Sequence, residues 1–232
     1  MQRLAEVYGR SHPGVRFELL SGTNSGAAVR GVVEGTLDLA VMNRDLKAEE
    51  QAEPVRYTSF ARDAVTFATP ESGPVRGLSS DEVRDVYAGK VRSWEKLGGE
   101  RQGVVVLDRD PDESARKLVL LPFMADRPVA AQTTVLAKAG EMADALQGTP
   151  GALGYTSVGY LQATGQLGVR LLALDGIEAT AANVASGRYP WHLTFGLVTR
   201  ADAPDALRSF VDFARGEEGQ RILSGYGYAP AA

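Results

Sequence analysis

Apolar and polar positions along the chain follow two different periods, and the changes between them predict strands and helices in alternation. Residues 15–19 alternate apolar and polar side chains, which is typical of a strand with one buried face. A glycine-rich turn over 21–26 precedes a helical pattern over 27–34, and a short apolar run over 37–42 indicates a buried strand. Strand, turn, helix and strand in this order favour a parallel sheet covered by helices.

The same alternation continues to the end of the chain, so the sequence predicts an α/β fold. Further strands are predicted over 64–68, 104–107, 152–155, 169–174 and 193–199, and further helices over 80–87, 114–124, 141–147 and 204–223. We divide the chain into a first lobe built from residues 1–66 and 192–232, and a second lobe, residues 67–191, inserted between them. Ligands of such sheets bind at the carboxyl ends of strands, so the cleft between the lobes is the predicted site.

Composition and charge exclude several classes of protein. Hydrophobic residues make up 44% and charged residues 23% of the 232 residues, as in an ordinary globular fold. No apolar run reaches the about 18 residues that a membrane span needs, so the chain is at most peripheral to a membrane. The net charge of −4 leaves no basic footprint, so no nucleic-acid partner is predicted. Met1 leads directly into a helical pattern, so no secretory signal is expected within this sequence.

The sequence offers few groups for catalysis or metal binding. It has no cysteine, which excludes disulfides, thiolate metal sites and a cysteine nucleophile. The two histidines, His12 and His192, each lie close to a proline, and neither has an evident partner that would orient it as a base. Glu82 and Asp85 could form a carboxylate pair, but nothing apolar around them indicates a raised pKa. We therefore predict no catalytic residue, no metal site and no cofactor, and a protein that is not an enzyme.

The glycine-rich segment 21–26 is the first of three candidate ligand-binding segments. It lies between a predicted strand and a predicted helix, where hydroxyls and helix N-terminal amides bind anions. Thr23 and Ser25 would donate hydroxyl hydrogen bonds, and Gly26 would donate its backbone amide because a glycine lets a ligand approach closely. The alternative interpretation is a plain turn in which Ser25 caps the following helix.

The second candidate segment follows the predicted strand over 37–42. Asn43 could exchange hydrogen bonds with an oxyanion, and Arg44 could neutralise the charge of that oxyanion. The alternative interpretation is a polar turn in which Arg44 and Asp45 form an ion pair at the surface.

The third candidate segment follows the predicted strand over 104–107 and precedes a predicted helix. Arg109 would offer an oxyanion a fixed and permanently charged guanidinium. Asp112 and Glu113 suit the positive end of the following helix, which is the structural interpretation of this segment. These two carboxylates would repel a bound anion if they faced it.

Several stretches taken together resemble the phosphate-binding proteins of phosphate ABC transporters. The matching stretches are Gly22–Gly26, Gly35–Ala40 with Arg44, Asp63–Thr66, Leu78–Gly99, Gly151–Tyr155, Leu174–Ile177, Gly187–Pro190 and Phe210–Gln220. The resemblance implies a periplasmic-binding-protein-like fold of type II. In such a fold each of the two lobes is a mixed, mostly parallel sheet flanked by helices, and the lobes close on an anion. The first strand of lobe 1 and its loop would precede Met1 and are absent from this sequence.

The resemblance also implies a ligand shell, which this chain matches in part. Ser25 matches a family serine ligand and Arg109 the family arginine. The family segment Gly-Ser-Gly-Thr is replaced here by Asp112-Glu113-Ser114-Ala115, and an aspartate that accepts the proton of hydrogen phosphate is replaced by Asn43. Ser114, Arg116 and Thr23 are the residues expected to restore the lost donors.

The resemblance further implies a solute-binding protein outside the cytoplasm, periplasmic or extracytoplasmic. It would capture an inorganic oxyanion, phosphate by default, and deliver it to the permease of an ABC transporter without covalent chemistry. The alternative is a sensor or protein-interaction module on the same fold with an altered pocket, which the substitutions near Glu113 favour.

Overall fold

A computed structural model describes residues 1–20, 24–130 and 132–231 of the chain. The helices are α1 (Gln2–Ser11), α2 (Ser25–Glu34), α3 (Ala48–Gln51), α4 (Ser80–Tyr87), α5 (Leu121–Phe123), α6 (Ala139–Gly148), α7 (Val158–Thr164), α8 (Ala181–Ala185), α9 (Asp205–Arg215) and α10 (Glu217–Ser224), with a 3-10 turn at Trp94–Leu97 and a π-helical turn at Arg116–Leu120. The strands are β1 (Leu39–Met42), β2 (Val55–Pro70), β3 (Gly77–Leu78), β4 (Val105–Arg109), β5 (Thr134–Leu136), β6 (Ala152–Ser157), β7 (Val169–Leu171), β8 (Ala173–Leu174), β9 (His192–Arg200) and β10 (Ala229–Pro230).

The chain forms two compact units, and the first consists of Met1–Arg62 and Thr194–Ala232. In this unit β9 lies between β1 and β2, and β1 pairs with β9 in antiparallel register, Leu39 opposite Thr199. Helices pack on both sides of these strands because their apolar faces need cover. One core cluster joins α1, α9 and α10 to the sheet, and it consists of Leu4, Tyr8, Phe60, Ala61, Leu197, Phe210, Val211, Ala214 and Leu223. A second cluster packs α2 against β1 and β9.

The second unit, Asp63–Leu193, contains the parallel part of the structure. Strand β4 pairs in parallel with β5 on one side and with β6 on the other, while β2 pairs with β6 and β7 in antiparallel register. The core beneath these strands is apolar and lies against α6 and α7, and it consists of Ala68, Leu107, Met142, Ala143, Leu146, Ala152, Leu161 and Val169. Parallel neighbours bring the carboxyl ends of β4 and β5 to one edge, which places Arg109 there.

The predicted α/β class with mixed sheets and flanking helices is confirmed. The parallel share is smaller than predicted, because β2 carries the chain out of the first unit and β9 carries it back. Strands that run in opposite directions pair in antiparallel register, as β1 also does with β9.

The strand predicted over 15–19 is wrong. Val15 and Phe17 are half-buried and pack against the first core cluster, while Arg16 and Glu18 are exposed, so the predicted alternation of faces is present. The segment is extended but joins no ladder among the described residues. Alternation reports which side chains are buried, and it does not supply the neighbouring strand that a ladder needs.

The chain passes between the two units inside continuous strands. The units change between Arg62 and Asp63, within β2, and between Leu193 and Thr194, within β9. The sequence placed its lobe boundaries at 66/67 and 191/192, in the same two segments. Among the described residues, none of the helices combines the length and the apolar character that crossing a bilayer would require.

Candidate functional site

The end of β4 places two charged residues in the interior of the second unit. Asp108 is 2% exposed and Arg109 is 4% exposed, whereas such residues are almost always left in water unless they are paired. The apolar residue before them, Leu107, belongs to the core. The strand therefore draws both charges inward as it enters the turn at 110–113, and their partners decide what the site can do.

Asp108 organises the strand end by accepting hydrogen bonds on both carboxylate oxygens. Its Oδ1 atom accepts from the Arg109 backbone amide at 2.7 Å and from the Tyr155 hydroxyl at 2.9 Å. Its Oδ2 atom accepts from Nε of Arg116 at 2.9 Å. Burial, together with the nearby hydroxyl of Tyr87 and the Asp108 charge, raises the pKa of Tyr155, so the Tyr155 hydroxyl keeps its proton and donates it to Asp108 in a hydrogen bond.

Arg109 and Glu113 form an ion pair at the start of the next helix. The distance from Nη2 of Arg109 to Oε1 of Glu113 is 3.2 Å, and the two side chains are 5% and 18% exposed. The other oxygen of Glu113, Oε2, accepts from the backbone amides of Ala115 at 2.8 Å and Arg116 at 3.2 Å. Within the described part of the chain, Nε of Arg109 is buried and has no hydrogen-bond partner.

The helix predicted over 114–124 contains a wider turn than expected. Ser114 and Ala115 are helical, Arg116–Leu120 forms a π-helical turn, and α5 follows directly. Turns of this kind are rare and often occur at functional sites. Here the turn begins at Arg116, the residue whose side chain bonds Asp108.

In the first unit, Asn24 caps α2. Its Oδ1 atom accepts from the Ala27 amide at 2.9 Å, so the alternative interpretation of Ser25 as the cap is wrong. Ser25 and Gly26 are instead the first two residues of the helix, and both are half-buried. Thr23 lies outside the described residues. Gly35 ends α2 with a left-handed backbone, φ of 74°, which favours glycine.

Arg44 forms a two-pronged ion pair with Glu50, a residue that the sequence did not single out. Nη1 of Arg44 donates to Oε2 of Glu50, and Nη2 donates to Oε1, both at 2.7 Å. The surface pair of Arg44 with the Asp45 side chain is wrong, because Arg44 donates only to the Asp45 backbone carbonyl. The Arg44 hydrogen bonds lower the pKa of Glu50 more than burial raises it.

The Glu50 carboxylate also lies near the start of α2. A Cβ atom built on Gly26 would lie 3.9 Å from Oε1 of Glu50 and 3.6 Å from Oδ1 of Asn24. The structure therefore brings Gly26, Arg44 and Glu50 together within the first unit. Asn43 follows β1 directly and is half-buried, as the predicted position at a strand end requires.

Within the second unit, the structure brings together Arg109, Ser114 and Arg116, as the predicted shell requires. Ser114 is half-buried at the first position of the helical segment, between Glu113 and Ala115. Asp108 and Tyr155 were missed as parts of this group. A carboxylate directly after the apolar run over 104–107 was a usable signal for Asp108, because a strand this apolar is buried at its end as well.

The three arginines in the predicted shell each pair with a carboxylate of their own unit. The pairs are Arg44 with Glu50, Arg109 with Glu113 and Arg116 with Asp108. Buried charges are retained when they are paired and hydrogen-bonded, so these pairs satisfy most of the guanidinium donors. An incoming anion would therefore have to add to these pairs or displace a carboxylate. The part of the chain that the structure describes contains no cluster of acidic or histidine side chains suited to a metal ion.

Mixed sheets flanked by helices, with arginines and helix N-termini at the strand ends, define an α/β protein of the solute-binding type. The chain belongs to the PBP superfamily domain family, whose model matches residues 1–218. The phosphate-binding protein PstS of Bacillus subtilis is 27% identical over 231 residues, which cover 97% of this chain and 75% of that protein.

Solved structures show the same similarity. A Clostridium perfringens protein named as a phosphate ABC transporter substrate-binding protein, solved with bound phosphate, superposes with a TM-score of 0.84 at 26% identity, covering 100% of this chain and 94% of that one. An ABC-type phosphate transport receptor from Vibrio cholerae gives a TM-score of 0.72 at 22% identity, covering 99% of this chain and 94% of the other. The second similarity bears on the fold alone.

Proposed function

We propose that this chain is a solute-binding receptor that captures inorganic phosphate outside the cytoplasm and delivers it to the permease of an ABC transporter. The observation that carries the proposal is the buried guanidinium of Arg109 beside the amides that begin the next helix. Guanidinium groups and helix N-terminal amides are the donors that proteins use for phosphate. The phosphate-binding relatives in Bacillus subtilis and Clostridium perfringens support phosphate as the ligand. No covalent step belongs to this function.

The ligand shell that we propose keeps the residues predicted from the sequence. Arg109, Ser114 and Arg116 would serve in the second unit, and Thr23, Ser25, Gly26 and Asn43 in the first. Arg44 stays a predicted ligand, and its hydrogen bonds to Glu50 favour the role of fixing that carboxylate near Gly26. Each charge-assisted hydrogen bond would contribute roughly 1.5–3 kcal/mol, so a few of them suffice for micromolar binding.

Isothermal titration calorimetry tests the proposal directly. The protein is first freed of ligand by unfolding, dialysis and refolding, and is then titrated with phosphate and, separately, with sulfate. We expect saturable binding of phosphate, and loss of that binding in Arg109→Ala. Arg101→Ala removes an exposed arginine of the same unit and is the matched control, with binding unchanged. Phosphate binding that survives Arg109→Ala would contradict the proposed shell.

A second candidate function is a sensor or protein-interaction module on the same fold. The pairing of the three arginines with Glu50, Glu113 and Asp108 favours it, because a charge-balanced site attracts a free anion less strongly. Calorimetry that detects no phosphate, sulfate, arsenate or molybdate binding to the refolded protein would favour this second candidate over transport.

A further inference from the structure

Glu113 receives the hydrogen bonds that an oxyanion would receive at the end of β4. One oxygen of its carboxylate faces the Arg109 guanidinium at 3.2 Å, and the other accepts from the Ala115 and Arg116 amides at 2.8 and 3.2 Å. These are a fixed cation and two helix N-terminal donors, the same set that binds phosphate at helix starts. A phosphate oxygen and a Glu113 oxygen cannot both occupy the same position against these amides.

The Arg109 side chain shows that the carboxylate fits this position incompletely. Nε of Arg109 is buried and lacks a hydrogen-bond partner among the described residues, although the side chain is only 5% exposed. A buried donor without a partner costs stability, and such atoms are rare in folded proteins. A carboxylate has two oxygens, which here serve Nη2 and the amides. Phosphate has four, so it can satisfy Nε as well.

We propose that Glu113 is a tethered anion that fills the oxyanion position of the second unit, and that phosphate binds there by displacing it. This inference rests on the proposed function and adds a built-in competitor to it. A group attached to the chain competes at an effective concentration on the order of millimolar, which weakens the binding of the free ligand accordingly. Glu113 thereby sets the phosphate concentration at which the receptor fills.

Removing the carboxylate tests the inference by calorimetry with inorganic phosphate on the full chain. Glu113→Ala vacates the position, and Glu113→Gln keeps the shape of the side chain while it removes the charge. We expect both variants to bind phosphate roughly tenfold or more tightly than the unchanged protein. Asp112→Asn removes the adjacent carboxylate, which is 91% exposed, and is the matched control with unchanged affinity.

The four possible outcomes separate this inference from the proposed function. Tighter binding in both Glu113 variants, with the unchanged protein also binding, supports both. Equal or weaker binding in the variants overturns the competitor and leaves the receptor function standing. Binding only after Glu113 is replaced supports the competitor and overturns the receptor function. No binding by any of the proteins overturns both.

A second measurement covers the case in which Glu113→Ala loses helix stability together with its cap. Amide NMR spectra of Glu113→Gln are recorded with and without phosphate. We expect the resonances of the Ala115 and Arg116 amides to shift with phosphate, since these amides would donate to the new ligand. Unmoved resonances at these two positions, with phosphate bound elsewhere, would overturn the inference.

Discussion

Asp108 holds Arg116 from the interior of the second unit, with Nε of the guanidinium 2.9 Å from Oδ2 of the carboxylate. The bond uses one edge of the guanidinium, and Arg116 keeps 17% of its side chain exposed, while Asp108 keeps 3%. The same carboxylate accepts from the Arg109 amide and from the Tyr155 hydroxyl. Both arginines of the second half of the proposed shell are therefore oriented by one buried acid.

Asp108→Asn is expected to destabilise the protein strongly. It leaves the largely buried Arg116 guanidinium without its counter-charge, and breaking a buried pair from one side typically costs about 3–5 kcal/mol. Urea unfolding followed by circular dichroism measures the change. Asp112→Asn, which breaks only the exposed pair with Lys117, should change the free energy of unfolding by less than ~1 kcal/mol. A loss in Asp108→Asn as small as in Asp112→Asn would show that the Asp108–Arg116 pair contributes little.

The contrast between Arg109 and Asp108 shows how far the sequence reaches. A strand followed by a helix start placed Arg109 at a strand end without knowledge of its neighbours, because local patterns determine where elements begin and end. The partners of Asp108 lie 8 and 47 residues away, at Arg116 and Tyr155. No period in the chain encodes such pairs, since they depend on how β4 and β6 pair.

Glu113 and Glu50 show the same limit in another form. The sequence identified Glu113 as a carboxylate suited to a helix start, which the structure confirms through its bonds to two amides. The turn that brings Glu113 back to Arg109 lies in the backbone over 110–113 and leaves no pattern in the residues. Glu50 follows a lysine by three positions, as in a helix-capping arrangement, and this signal went unused.

Glu50→Gln is expected to destabilise the first unit at neutral pH and to matter less in acid. The Arg44 hydrogen bonds lower the pKa of Glu50 below its ordinary value. A carboxyl group with a lowered pKa in the folded state stabilises the protein above its ordinary pKa, and that contribution disappears as the pH falls through the folded value. The variant should therefore unfold at a lower urea concentration at pH 7, while the gap to the unchanged protein narrows below about pH 4.

Glu49→Gln is the matched control for Glu50, since the two residues are adjacent and the Glu49 side chain is 72% exposed. At pH 7 we expect Glu50→Gln to cost about 3 kcal/mol or more, and Glu49→Gln less than ~1 kcal/mol. Equal effects of the two substitutions, or a gap for Glu50→Gln that stays constant from pH 7 to acid, would contradict the role assigned to the Arg44–Glu50 pair.

Asp63→Asn is expected to change the pH dependence of stability in the opposite direction. Asp63 is fully buried, and its Oδ1 atom accepts from the Gly159 amide at 2.7 Å. Its Oδ2 atom lacks a hydrogen-bond partner within the described residues. Burial raises the pKa of Asp63 from 3.8 to about 6, although the amides of Gly159 and Tyr160 and the Ser157 side chain oppose the rise. Between these two values the folded state holds a proton that the unfolded state has released. The contribution of Asp63 to stability therefore falls as the pH rises through this window.

Urea unfolding at pH 4, 5, 6 and 7 measures this contribution. An asparagine side chain has no charge to bury, so relative to the unchanged protein the Asp63→Asn variant should gain up to ~3 kcal/mol of stability between pH 4 and pH 7. Asp38→Asn, at an exposed position of the first unit, should follow the unchanged protein across the whole range. Profiles of the Asp63→Asn variant and the unchanged protein that run parallel from pH 4 to pH 7 would show that Asp63 keeps its ordinary pKa in the fold. Asp63 is the first residue of the second unit, on the strand that carries the chain out of the first. A confirmed shift would therefore place a proton-dependent group in one of the two segments that join the units.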